Sequence, residues 1–245
     1  MKRDPCLHLE RKYLNFPITL IPDIYKETDT YHAMDKIISY GMVAVIVGLG
    51  YELDEITNDM AHDIGITCNE RGMKSAINDY RFNFKKGAVM TSIDKDKAFE
   101  YRDRRISCTK NRREVMAICG VLAIRSIIGV KDYAKCYKGF LLSRMAGSAK
   151  SIPEYKLPSA VKKYSGNGGK RQWRNLITDI KKAGCSIYAP RGCRGFYASF
   201  RLGPLELAER VERKKREKAE SEYNMSNDEL RKAALENIAK DNESM

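Results

Sequence analysis

Histidine is scarce, three in 245 residues, and His8, His32 and His62 lie far apart. The seven cysteines form no C-x-x-C pair and no spacing with histidine that would hold zinc. Odd in number and scattered, they suit a reduced chain better than a disulfide framework, so a cytoplasmic setting is expected. Long apolar runs are missing too: the longest, Met42 to Leu49, falls far short of the roughly 20 residues a membrane span needs. Met1 to Arg11 mixes charged and apolar residues without the continuous hydrophobic region of a signal peptide. No membrane association and no metal are therefore expected.

Acidic residues are missing where basic ones gather. Between Lys131 and Phe200 stand fifteen basic residues against Asp132, Glu154 and Asp179, which accounts for nearly the whole net charge of +13. A polyanionic partner is implied, and the charge belongs to one segment rather than to the chain at large.

That segment contains GKRQWRNLITDIKKAGCSIYAPRGCRGFYASFR, from Gly169 to Arg201. Trp173, Leu176, Ile177 and Ile180 recur at helical spacing, which predicts a helix buried on one face with Lys170, Arg171, Arg174, Thr178 and Lys181 directed elsewhere. Cations on a first helical turn oppose the macrodipole by roughly 0.3–1 kcal/mol each, a defect that a bound phosphate would turn into a contact. Beyond Gly184, the run Ile187-Tyr188-Ala189 mirrors Phe196-Tyr197-Ala198 across a turn that holds Arg191 and Arg194. Short helix, basic helix, hairpin is the order of a winged helix-turn-helix. A basic surface helix packed on an ordinary hairpin would leave the same pattern. The glycine-rich link Ser165 to Gly169 is looser than the motif's usual tight turn. It is not a P-loop, because Tyr164 holds the first glycine position and Arg171 the hydroxyl position, so no nucleotide cofactor is expected.

The rest of the chain reads as support. Lys12 to Ile24, with Pro17 and Pro22, predicts an extended arm over the core. Helices are expected from Thr28 or Asp29 to Val47, over Glu52 to Ile64, and from Asn69 towards Gly87. Asp59, His62 and Asp63 share a face of the second, and a solvated polar face is the better reading than a metal site. Thr91 to Lys110 reads as a link or surface element. Arg113 to Ile128 is apolar nearly all round and predicts a buried central helix ended by Gly129. Asp132 is expected to cap a helix through Tyr133, Tyr137, Phe140 and Met145, and Pro158 to open a short helix carrying Lys162 and Lys163. After Pro204 the chain predicts a long solvated helix and a second one begun by Ser226 and Glu229, forming a loosely attached tail. Sustained heptads are lacking, so a homodimer through this tail stays open without being indicated.

The fold class expected is therefore mainly α, organised as a helical amino-terminal region (1–110), a winged helix-turn-helix with a β-hairpin wing (111–203) and a charged helical tail (204–245). KYLNFPITLIPDI, together with FLLSRMAG and RGFYASF, resembles uncharacterised proteins of Bacteroides-like bacteria and their phages or mobile elements. The resemblance implies a prokaryotic or phage setting and no established activity.

The expected function is sequence-specific binding of double-stranded DNA, in transcription control or replication initiation of such an element. Arg171, Gln172, Arg174, Asn175 and Thr178 are the candidates to read bases, since Arg reads guanine and Asn or Gln reads adenine. Lys170, Lys181, Arg191, Arg194, Lys162 and Lys163 are the candidates for phosphates or the minor groove. The alternative is a protein-binding module, such as a phage-encoded inhibitor or scaffold, using the same basic surface; the amino-terminal half could also hold a protein partner. An enzyme is not expected, because clustered histidines and carboxylates are absent from the basic segment.

Overall fold

The structure, a computed structural model, describes residues 12–64, 66, 69–166 and 168–243. The segment Met1 to Arg11 considered above lies outside these, as does Asn167 of the glycine-rich link. The chain is mainly α with two small antiparallel sheets.

The amino-terminal half is built around strand β1 (Tyr13–Pro17), the short helix α1 (Asp23–Lys26) and helix α2 (Tyr31–Gly48). In β1 alternate residues Leu14 and Phe16 are buried, so the proline-containing arm is a strand of the core rather than a cover laid over it. Its partner is β2 (Met90–Asp94), with Tyr13 opposite Asp94 and Pro17 opposite Met90. The stretch expected as a surface link thus supplies a core strand and then helix α5 (Lys95–Asp103), which packs on α2. Thr91, Ile93 and Ala98 give it the buried residues that its many charges conceal.

Between them, α3 is confined to Asn58–Asp63, because Thr57 accepts from the Met60 amide and opens the helix there rather than at Glu52. The next helix, α4 (Glu70–Asn83), begins as expected, with the Asn69 side chain accepting from the Gly72 amide at 2.8 Å. At α2, Asp29 accepts from the Tyr31 amide at 2.8 Å.

Helix α6 (Arg112–Ile128) joins the halves. Val115, Met116, Cys119, Ala123 and Ile124 are wholly buried, and α6 meets β2 and α1 on one side and the later helices on the other. The chain then departs from the expected helix at Asp132. Ala134–Cys136 is instead strand β3, and helix α7 is only Lys138–Met145. Tyr133 and Tyr137 have helical spacing, but pairing with a distant strand overrides it. After α8 (Ser159–Lys162) comes α9 (Lys170–Lys182), followed by β4 (Ser186–Tyr188) and β5 (Phe196–Ser199). The sheet order is β3-β5-β4, all antiparallel.

The tail is one helix, α10 (Pro204–Glu243). No glycine or proline follows Pro204, so nothing ends it at Ser226. Nor is its start loose: Leu207 and Val211 are buried with Leu202 against Tyr133, Tyr188 and Tyr197, and the Tyr188 hydroxyl donates to Glu212 at 2.8 Å. Buried Ser199 ties the junction, donating to the Asp132 carbonyl and accepting from the Arg201 and Leu202 amides.

Two consequences are measurable. A Cβ at Gly169 would lie 2.2 Å from the Ser165 carbonyl oxygen and 2.7 Å from that of Lys163, whereas one at Gly168 meets nothing within 4 Å. Gly169→Ala should lower unfolding stability by about 2–3 kcal/mol, a cost of overpacking against backbone, and Gly168→Ala should not, as read from urea midpoints. Burial pushes the thiols of Cys136 and Cys185 from 9.0 to about 12. Their stabilising contribution is complete below the unfolded thiol value and is lost as pH climbs towards 12. Urea midpoints should therefore fall between pH 8 and 10.5, and less steeply in the Cys136→Ala/Cys185→Ala double variant.

Candidate nucleic-acid interface

Helix α9 is held by its apolar stripe. Leu176 and Ile180 are buried, Trp173 and Ile177 half-buried on the same core, and α6 is their main support. A bidentate ion pair fixes the rotation about this stripe: Arg113 at the start of α6 donates to Asp179 at 2.9–3.1 Å. Asp179 is the single acidic residue of α9, and this contact neutralises it.

The opposite side faces solvent. Lys170, Arg171, Gln172, Arg174, Thr178 and Lys181 are exposed, and Asn175 is half-buried at the edge of the face. The Thr178 hydroxyl donates to the Arg174 carbonyl at 2.9 Å, which leaves it as an acceptor towards any partner. Helical geometry puts residues 171, 175, 178 and 182 along the line opposite Leu176 and Ile180. Exposed Lys182 therefore joins the candidates; its seven-residue offset from Asn175 was the available signal. The first turn has neither a side-chain cap nor an acidic residue, so its amides and the cations beside them add to one positive focus.

The base of the hairpin turn meets α9 at Trp173. The Trp173 and Phe196 rings sit 6.3 Å apart, and Phe196 follows directly on the turn that carries exposed Arg191 and Arg194. On the other flank the end of the turn is pressed to β3: Gly195 has φ +87°, and a Cβ there would lie 2.5 Å from the Cys136 carbonyl oxygen. Lys138, at the start of α7, completes the cluster from an element that sequence reading did not connect to it. Its ammonium lies 5.6 Å from the centre of the Trp173 ring and 3.4 Å from the Gly166 carbonyl.

Lys162, which ends α8, and Lys163 directly after it are exposed. Lys163 rests 5.0 Å from the centre of the Tyr164 ring, and desolvation, then Arg112, pushes its ammonium below its ordinary value. Lys162, Lys170, Arg171, Arg174, Lys181, Lys182, Arg191 and Arg194 make no ion pair among the described residues.

Chemically the surface can hold a chain of phosphates and present two arginines and two amides to base edges. Among the described residues no group of three or more His, Cys, Asp or Glu is placed to hold a metal ion, and no helix is long and apolar enough to cross a membrane. No protein-family model, curated protein or solved structure matches the chain.

Proposed function

We propose that this protein binds double-stranded DNA sequence-specifically through a winged helix-turn-helix in residues 111–203, with α9 as recognition helix and the β4–β5 turn as wing. The observation that carries the reading is the set of exposed cations, without ion pairs among the described residues, on α9 and on the turn of a hairpin whose first β5 residue, Phe196, meets Trp173 of α9. The order α6, β3, α7, α9, β4, β5 also supports it, because a third strand braces the hairpin from between the first two helices. Helix α8, the short helix expected directly before the basic one, becomes an addition to that plan, and α7 takes its place. Arg171, Gln172, Arg174 and Asn175 read base edges, while Lys170, Lys181, Lys182, Arg191 and Arg194 take the backbone. Control of transcription and initiation of replication on a phage or mobile element both use these contacts.

The test is selection from a random double-stranded DNA pool at two salt concentrations, followed by titration of the retained sequence. Neutralising about five phosphates gives a log–log salt slope of about −4 to −5. Arg171→Ala or Arg174→Ala should weaken binding by about 1–3 kcal/mol and relax preference at one position, whereas Lys181→Ala should weaken all sequences alike and make the slope shallower by about 1. Failure to retain any DNA at low salt would overturn the reading and direct the search to an acidic protein surface.

A further inference from the structure

A cavity of about 540 Å³ opens between β2 and α5, the outer side of α6, and the last turn of α9. That volume suits a small organic ligand. Its floor is apolar, made by Ala117, Ile118, Val121 and Leu122 of α6. Its rim is charged, and the charges are not balanced locally. Each carboxylate in the lining already has a cation: Asp94 has Lys12 at 4.0 Å, Glu114 has Arg104 at 2.8 Å and Asp179 has Arg113 at 2.9 Å. Lys97, Arg125 and Lys182 also line the cavity and meet no carboxylate among the described residues.

Arg125 is the fixed member of that trio. Its guanidinium is held between the rings of Tyr13, 5.0 Å to the centre, and Phe200, 4.7 Å. Its Nε is buried without a hydrogen-bond partner, and the guanidinium donates to no described residue. A guanidinium clamped in place without a carboxylate partner is preorganised for an oxyanion. A neighbouring cavity of about 390 Å³ shares Lys97, Arg125 and Ala183 with the first.

We propose that this cavity binds a small organic anion, one carboxylate or phosphate on an apolar body. The anionic group sits on Arg125 and Lys97, and the body lies on the α6 floor. A nucleic-acid backbone would match the cations but would leave that floor unused. The site stands on its own residues, whether or not α9 binds DNA.

Calorimetric titration of the full chain with naphthalene-2-carboxylate, its neutral carboxamide and acetate tests both halves of the proposal. The carboxylate should bind at least ten-fold more tightly than either control, and naphthyl phosphate in parallel shows which head group is preferred. Arg125→Met, which keeps a stem between the two rings, should abolish the preference over the carboxamide. Because Arg125 also braces those rings, Lys97→Gln at an exposed position gives a second reading, with a loss of three-fold or more. Equal binding of acid and amide, acetate as tight as the naphthoate, or unchanged affinity in both variants would overturn the proposal.

Discussion

Helix α6 has no polar face, and the architecture follows from that. An apolar helix of 17 residues needs cover over most of its girth, so β2 and α1 close over one side while α7, α9 and strands β3 and β5 close over the other, leaving one strip as the floor of the open cavity. One hydrophobic cluster therefore runs from Leu14 to Ala198 through α6. The basic helix is thereby fixed against the amino-terminal half, and Arg113 in the first turn of α6 sets its rotation through Asp179. Removing either partner would leave the other without its counter-charge at the foot of the exposed face.

Elsewhere the chain pairs its charges readily. Arg104 meets both Glu100 and Glu114, and Arg210 meets Glu206 and Asp132. On α9 and the hairpin tip it does not. Like charges gathered without partners raise the free energy of the folded state, modestly in water and salt, and an anion relieves that repulsion on contact. The two unneutralised regions, the α9 face and the Arg125 cavity, meet at Lys182, which belongs to both.

Much of this was legible in the residues. The bounds of α9 could be read from Trp173, Leu176, Ile177 and Ile180, because an amphipathic stripe is local information, and the burial of α6 followed from its missing polar face. The hairpin was equally clear from its mirrored aromatic runs. Strands β2 and β3 were not. Met90–Asp94 is bordered by charge, and Ala134–Cys136 lies between tyrosines at helical spacing; each is a strand only because a partner elsewhere in the chain offers it an edge. The seating of α10 was hidden for a similar reason: two apolar residues, Leu207 and Val211, decide it amid many charges. Lys138 and Arg125 gain their roles from neighbours far along the chain, and no spacing rule announces such neighbours.

The pairing of β1 with β2 also governs when the protein can fold. Tyr13 to Pro17 leave the ribosome well before their partner strand, which is made roughly seventy residues later, and the closure of so long a loop has to precede any gain from the pairing. Thr30 repeats the pattern, bridging the Tyr101 carbonyl and the Ile106 amide. Until β2 and α5 have been synthesised, the edge of β1 and the part of α2 that they cover stay open, so the nascent chain carries apolar surface through a long wait.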